Sequence, residues 1–251
     1  MKEEVQKAGK PYLFRYRADN DFTLDEIENS YIFFSDNESL NDPFDSSADL
    51  INFVSDKIDP EEYFRLFRKH ITSEKDKQYF DKNYSTKELI RLTYEYIPKY
   101  LNEFGISCFS MIPYINMAMW ANYANNHKGI CLQFKHDNDI EFFQGWRVVE
   151  YHEELNEIEY NPTENEFKLM DVFYIKDKNW SYEKEVRLVK MKKGKVNFNH
   201  NSLRNIICGY KTDEVYIDKI INICQKKHLN IGVYQMNKPK KQNNVSLTRI
   251  N

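Results

Sequence analysis

Two carboxylates and one arginine are closely spaced in the segment WSYEKEVRLVK, residues 180–190. If this segment is a β-strand, its period of two places Glu183, Glu185 and Arg187 on one face. Like charges two residues apart on a strand face repel each other and are costly to bury. The segment therefore has two interpretations: a solvated face on which Arg187 pairs with Glu185, or a strand whose carboxylates point into a pocket.

A second group of candidate residues lies in the segment MWANYANNHKGICLQF, residues 119–134. On a helix, Trp120, Tyr123 and His127 share one face. Aromatic rings at this spacing are typical of a core, but rings beside a polar histidine are also able to line a cleft. The sequence leaves both interpretations open.

The third group is the loop LNDPFD, residues 40–45, in which Asn41, Asp42 and Asp45 surround a proline turn. Asn and Asp are common in turns because their side chains bond to nearby backbone groups. The functional alternative is a loop that presents polar groups beside the end of the preceding strand.

The composition excludes few partners, but the absence of several sequence motifs argues against some enzyme classes. The chain has 251 residues, 41% of them apolar, and a net charge of −3. This predicts a globular protein with a substantial core and no global positive field that would attract nucleic acid, although the sequence still allows a local basic groove.

The absence of G-x-G-x-x-G, G-K-[ST], G-x-S-x-G and H-E-x-x-H argues against Rossmann and P-loop enzymes, serine hydrolases and zinc sites. We predict no metal site.

The location of the protein is predicted from three further features. Its four cysteines are scattered, as expected for free thiols in a reducing compartment. The N-terminal residues MKEEVQKAGK lack the apolar segment of a signal peptide. No run of about 18 apolar residues occurs, so no membrane span is predicted. We expect a cytoplasmic protein without a membrane partner.

Periodicity and turn signals predict an α+β fold with a mixed, largely antiparallel sheet. The predicted strands are residues 12–17, 31–35, 105–110, 130–135, 146–151, 182–190, 204–210 and 231–236. The predicted helices are residues 22–30, a helix starting at Asp59-Pro60, one from Ser85 to before Gly105, one from Asn116 to about Gly129, and 213–228. We expect one domain over residues 1–236, with a helical insertion at about 50–104, and a polar, basic and mobile tail at 237–251.

Three motifs together resemble those of a widespread uncharacterised bacterial domain family. They are NDPFD at residues 41–45, W-x-x-Y-x-x-x-H-x-G-x-C at 120–131, and W-x-Y-E-x-E-x-R at 180–187. The resemblance covers about residues 12–210. It implies no activity, because the family has no settled one to transfer.

The segment YEKEVRLV also looks like the E-x-E strand of arginine-type and toxin-type ADP-ribosyltransferases. In that superfamily an arginine lies on the first strand, a serine-containing strand follows, and the E-x-E strand comes late. This chain offers the same order, although Cys108 and Phe109 interrupt the usual S-T-S form, so the choice of serine and the activity of the site stay open. The matching residues are Arg15, Arg17, Ser107, Ser110, Glu183 and Glu185.

This resemblance implies an ADP-ribosyltransferase-like fold and NAD as the substrate. Glu185 would stabilise the oxocarbenium-like ribose, Glu183 would orient or deprotonate the acceptor, and Ser110 would fix the rotamer of Glu185. Arg15 or Arg17 would bind the pyrophosphate with a bidentate fork. The remaining residues predicted to contact NAD are Tyr31, Asn41, Trp120, Tyr123 and His127, with Tyr31, Trp120 or Tyr123 stacking on nicotinamide.

The expected function is an NAD-dependent ADP-ribosyltransferase that acts as a bacterial toxin or anti-phage defence effector. Its acceptor would be a protein or a nucleic acid, and a cognate antitoxin is a further predicted partner. Two alternatives from other classes stay open. One is a non-catalytic module that binds a nucleotide or a partner, and the other is a metal-dependent nuclease in which Asp42, Asp45, Glu183 and Glu185 gather Mg²⁺.

Overall fold

The computed structural model describes residues 12–165, 167–239 and 245–251. The N-terminal residues in which we predict no signal peptide lie outside this range. The chain forms two compact units. The first comprises the described residues of Met1–Ser35, Ile106–Val149 and Asn179–Asn251, and the second comprises Asp36–Gly105 and those of Glu150–Lys178.

The described residues form the following strands and α-helices. The strands are Tyr12–Arg17 (β1), Tyr31–Phe34 (β2), Ile51–Phe53 (β3), Gly105–Ser110 (β4), Ile130–Lys135 (β5), Arg147–Val148 (β6), Glu150–His152 (β7), Ile158–Tyr160 (β8), Ile175–Asp177 (β9), Glu185–Lys190 (β10), Gly194–Asn197 (β11), Leu203–Cys208 (β12), Gly232–Met236 (β13) and Leu247–Arg249 (β14). The helices are Asp21–Glu28 (α1), Pro60–Arg68 (α2), Glu74–Asn83 (α3), Thr86–Leu101 (α4), Met117–Tyr123 (α5), Ile140–Phe143 (α6) and Glu214–Lys226 (α7).

The first unit is built on an eight-stranded sheet with the order β14-β13-β12-β5-β1-β4-β10-β6. Strand β1 pairs antiparallel with β5 and β4, and β12 pairs antiparallel with β5 but parallel with β13. The predicted α+β class, with a mixed and largely antiparallel sheet, is therefore confirmed. Strand β4 separates β1 from β10, so the predicted arginine strand and the predicted carboxylate strand are about 10 Å apart, which is two strand spacings.

Alternation along β1 assigns residues to the two faces of this sheet. Leu13 packs in one apolar core with Val186 of β10, together with residues of α1 and α7. Phe14 packs in a second core with Trp120 of α5. Successive side chains of a strand point to opposite faces, so the sheet has a Leu13 face and a Phe14 face.

Two helices of the second unit begin where the sequence predicts, whereas α3, over Glu74–Asn83, was not predicted. Asp59 caps α2, with Pro60 at its first position, and Ser85 caps α4. Both side chains accept a backbone N–H that would otherwise lack a partner at the helix start. Helices α2, α3 and α4 lie inside the predicted insertion. No helix of the described residues has the length and apolar character that crossing a membrane requires.

Several predicted elements differ from the structure. The helix predicted from Asn116 to about Gly129 ends at Tyr123, so His127 lies outside it. The segment 146–151 is not one strand, because it contains β6 and the start of β7, which pairs with β9 instead of β10. Part of the tail that we predicted to be mobile is ordered as β14, which pairs with β13. The side chain of Asn251 stabilises this arrangement, since it accepts a hydrogen bond from the Val233 backbone N–H at 2.7 Å and donates one to the Ile231 carbonyl at 2.8 Å.

Candidate active site

The predicted carboxylate strand begins three residues later than the sequence suggests. Lys178–Glu183 forms a 3₁₀-helix, and the strand β10 starts only at Glu185. Lys184 joins the two elements with a φ of 44°, a left-handed conformation that is unfavourable for a residue with a side chain. The prediction that Glu183 and Glu185 share a strand face is therefore wrong, because the alternation starts after the turn at Lys184.

Glu185 is held by Arg187 in a buried ion pair on the Phe14 face. The Nε atom of Arg187 lies 2.7 Å from Oε1 of Glu185, and Nη2 lies 3.0 Å from Oε2. Both side chains are almost completely buried. This bidentate geometry neutralises the Glu185 charge and fixes the carboxylate. It confirms the pairing of Glu185 with Arg187, but on a buried face instead of a solvated one.

The side chain and the main chain of Glu183 each accept a hydrogen bond from a hydroxyl group. The Tyr123 hydroxyl donates a short hydrogen bond to Oε1 of Glu183. Ser110 Oγ donates to the main-chain carbonyl of Glu183 at 2.6 Å and accepts from the Ile112 N–H at 3.1 Å. The structure thus places Ser110 beside Glu183, where the sequence predicted a contact with the side chain of Glu185. Glu183 is 3% exposed and Tyr123 is half-buried, so their contact lies at the edge of the core.

The helix α5 fixes this arrangement from the side of Tyr123. Asn116 caps the helix with its Oδ1 and donates through Nδ2 to the main-chain carbonyl of Tyr182 at 2.7 Å. Asn122 donates to the Tyr182 hydroxyl at 2.9 Å. Sequence reasoning did not select Asn116, Asn122 or Tyr182 as site residues. The signal was available for Asn116, because an asparagine before an apolar helical segment is a strong N-cap.

Trp120 belongs to the core. It is fully buried, its indole N–H donates to the Tyr114 carbonyl at 2.6 Å, and its ring meets Tyr16 edge-on at 5.3 Å between centroids. The core interpretation therefore holds for Trp120, whereas Tyr123 directs its hydroxyl at Glu183.

His127 lies in a strained loop after α5. Asn125, Asn126 and His127 all have positive φ, with values of 43°, 50° and 71°. The His127 ring lies 4.8 Å from the Tyr210 ring. Its Nδ1 is buried without a hydrogen-bond partner among the described residues, and burial lowers the pKa of the imidazole, with the Lys211 charge adding to the effect. A glycine at position 209 is required here, because a Cβ would lie 2.1 Å from the His127 carbonyl oxygen.

Arg15 and Arg17 do not join Glu185. Arg15 alternates with Phe14 and so lies on the Leu13 face, and Arg17 follows with the same period. Their Nε atoms lie 3.3 and 2.8 Å from the two oxygens of the buried Glu26 of α1. Arg15 also donates to Ser107 Oγ at 2.7 Å. Burial is the largest influence on Arg15 and lowers its pKa, while Glu26 opposes this shift.

Sequence reasoning missed Glu26. Its signal was the helical spacing of α1, on which Thr23, Glu26 and Ile27 form one buried face. A carboxylate at such a position requires a buried cation, and the arginines of β1 supply two. Glu26 therefore provides the arginines of the first strand with a buried counter-charge.

The other predicted ligand-binding residues lie elsewhere. The Tyr31 hydroxyl donates to Oδ2 of Asp25 at 2.7 Å. Asn41 is exposed and belongs to the second unit. Within that unit, Asp45 lies 3.4 Å from Lys176, and Asp42 accepts a hydrogen bond from the Phe44 N–H at 3.0 Å, as expected for an Asx turn.

Three further findings come from the described residues and from comparison of this chain with known proteins. No group of three or more His, Cys, Asp or Glu residues in the described part of the chain is arranged to hold a metal ion. Residues 119–188 match a family model described as "Protein of unknown function (DUF2971)". This confirms the predicted resemblance to an uncharacterised domain family, over a segment that contains two of the three motifs. No curated protein and no solved structure matches the chain.

Proposed function

We propose that the Phe14 face binds NAD beside Glu183 and Tyr123 and cleaves the nicotinamide–ribose bond, as ADP-ribosyltransferases do. The observation that supports this proposal is the different surroundings of the two carboxylates. The Glu185 charge is balanced by a buried bidentate arginine, whereas Glu183 is oriented by the Tyr123 hydroxyl at the edge of the core. The Tyr123 hydroxyl fixes the orientation of the Glu183 carboxylate, and a carboxylate held in a fixed orientation stabilises a cation that develops beside it.

The reaction gives each part of the site a role. When the C–N bond breaks, the electron pair leaves with nicotinamide, and the positive charge of the pyridinium passes to C1′ and O4′ of the ribose. Glu183 stabilises this charge, and a ribose hydroxyl donates to its carboxylate beside Tyr123, since a carboxylate accepts about four hydrogen bonds. Water or an acceptor nucleophile then attacks C1′ and releases its proton to solvent.

The roles implied by the resemblance change accordingly. Glu183 takes the charge-stabilising role that we expected for Glu185, because a neutralised carboxylate adds little field at the ribose. Glu185 and Arg187 support the start of β10. Ser110 fixes the backbone of Glu183, and the half-buried Tyr123 ring is the surface available to nicotinamide. Arg15 and Arg17 are structural in this proposal, because they share Glu26 on the other face.

The proposal extends to a biological role as a bacterial toxin or anti-phage defence effector that modifies a protein or a nucleic acid. It is tested by incubating purified protein with NAD, with and without bacterial cell extract, and measuring nicotinamide release together with transfer of labelled ADP-ribose. We expect release that increases when the extract supplies an acceptor. Saturable NAD binding without release in any extract would instead favour the non-catalytic module. The Glu185–Arg187 ion pair is compatible with this alternative, because it neutralises one of the two carboxylates.

A further inference from the structure

The second unit contains a cavity of about 650 Å³ between helices α2 and α4. Aromatic and aliphatic side chains provide most of its wall. Among them are Tyr63, Phe67, Leu92, Tyr96, Tyr100 and Phe167. Each helix contributes residues four positions apart, so one face of α2 and one face of α4 are directed at the same space. Cavities of about 300–1,000 Å³ with this character accommodate small organic ligands.

The polar groups deep in the cavity have partners inside the protein. The Tyr63 hydroxyl is hydrogen-bonded to Thr93 Oγ1, which in turn donates to the Leu89 carbonyl at 2.9 Å. A ligand that enters this part of the cavity therefore meets satisfied groups and apolar surface. At the mouth, Tyr96 and Phe167 are 59% and 72% exposed. Covering such surface with an apolar ligand is favourable by about 25 cal/mol per Å².

The charged residues that line the cavity are Glu95 and Lys99. Glu95 lines the cavity, but Arg91 pairs with it on the same helix. Lys99 and His70 are the basic side chains that line the cavity. The wall thus offers an ammonium group and an imidazole beside apolar rings, a combination that favours a negative group on the ligand.

Lys99 also borders a neighbouring polar hollow that contains Asp42 and Asp45. These two carboxylates have their own partners, because Asp45 lies 3.4 Å from Lys176 and Asp42 accepts the Phe44 N–H. Among the described residues, neither acid of the NDPFD loop forms an ion pair with Lys99.

We propose that this cavity binds an amphipathic organic anion, with a flat apolar body between α2 and α4 and its negative group at Lys99 and His70. The inference is independent of the proposed NAD chemistry, because all of its residues belong to the second unit. It adds a binding site to the chain and identifies the chemical class of the ligand.

Three probes of nearly equal shape test the proposal by isothermal titration calorimetry on the full chain: 2-naphthoate, neutral 2-naphthamide and cationic 2-naphthamidine. We expect the anion to bind most tightly and the cation most weakly. Lys99→Gln should weaken naphthoate binding roughly threefold to tenfold, as for loss of one hydrogen bond at an exposed position, and should leave naphthamide unchanged. Lys87→Gln is the matched control, because Lys87 is exposed on the same helix about 18 Å away.

Phe67→Ala tests the location of the apolar body and should weaken all three probes by a similar factor. Thermal melts check that each variant is folded, and His70→Gln replaces Lys99→Gln if the latter does not fold. Equal affinity for the three probes, naphthoate binding unaffected by Lys99→Gln, or no binding of any probe to folded wild type would overturn the proposal.

Discussion

Glu183 and Glu185 are separated by one residue, yet they lie on different secondary-structure elements and contact different partners. The left-handed Lys184 ends the 3₁₀-helix that carries Glu183 and starts the strand that carries Glu185. One carboxylate consequently accepts a hydrogen bond from the Tyr123 hydroxyl, and the other binds Arg187. These different contacts are the basis for assigning the two acids different roles.

The left-handed conformation of Lys184 leads to a prediction about the stability of variants at this position. Lys184→Gly should leave the melting temperature unchanged or raise it, because glycine adopts a positive φ without the penalty of a Cβ, and this gain offsets its larger entropy in the unfolded chain. Lys184→Val should lower the free energy of unfolding by about 1–2 kcal/mol, since a β-branched residue is least suited to this conformation. Chemical denaturation measures both variants. Equal stability of the two would contradict the strained turn.

The Glu185–Arg187 pair should be required as a pair. Arg187→Met removes two charge-assisted hydrogen bonds from a buried carboxylate, so we expect the free energy of unfolding to fall by about 3–5 kcal/mol. The double variant Glu185→Leu/Arg187→Met should regain much of this loss, because the buried charge is removed together with its partner. Urea unfolding of wild type, Arg187→Met, Glu185→Leu and the double variant forms the test. A double variant as unstable as the sum of its two single variants would show that the pair is not coupled.

The buried imidazole of His127 leads to a prediction about how the stability of the protein depends on pH. The pKa of His127 is lowered in the folded state, mainly by burial, so the unfolded state binds its proton more readily. The stability linked to this group is therefore fully present above the usual pKa of about 6.5 and decreases as pH falls below it.

His127→Asn isolates this effect, because asparagine also tolerates a left-handed conformation. We expect the stability difference between wild type and His127→Asn to become less favourable to wild type as the pH falls from 8 to about 5. His200→Asn, at another histidine of the first unit, is the control. A stability difference that does not change with pH would rule out the lowered pKa.

Local signals predicted the framework of the fold, because the relevant interactions are close in sequence. Alternation and turn residues located β1, β4 and β5 at their observed bounds, and the caps at Asp59, Ser85 and Asn116 located three helix starts. The start of β10 was missed because it depends on tertiary contacts, through which Ser110 and Asn116 hold the backbone of residues 182 and 183. No local pattern reports such a constraint.

The candidate site was predicted only in part, for a related physical reason. Spacing identified Glu183, Glu185 and Tyr123 but not the face of the sheet on which each lies. Successive residues of β1 pack into two different apolar cores, and this assigns Arg15 and Glu185 to opposite faces of the sheet. The sequence alone does not reveal these cores. The partner of the arginines, Glu26, comes from a helix, and its contact with β1 depends on how that helix packs on the sheet.

The central claim is that the Glu183 charge, oriented by Tyr123, drives cleavage of the nicotinamide–ribose bond. The most direct test is the rate of nicotinamide release per folded molecule for wild type, Glu183→Gln and Tyr123→Phe. Tyr216→Phe is the control, since its hydroxyl bonds to the Asn20 carbonyl. We expect Glu183→Gln to lower the rate about 10²–10³-fold, as for loss of one electrostatic group, with a smaller loss for Tyr123→Phe and none for the control. A folded Glu183→Gln protein with wild-type release, or wild type that never consumes NAD in any extract, would contradict the claim.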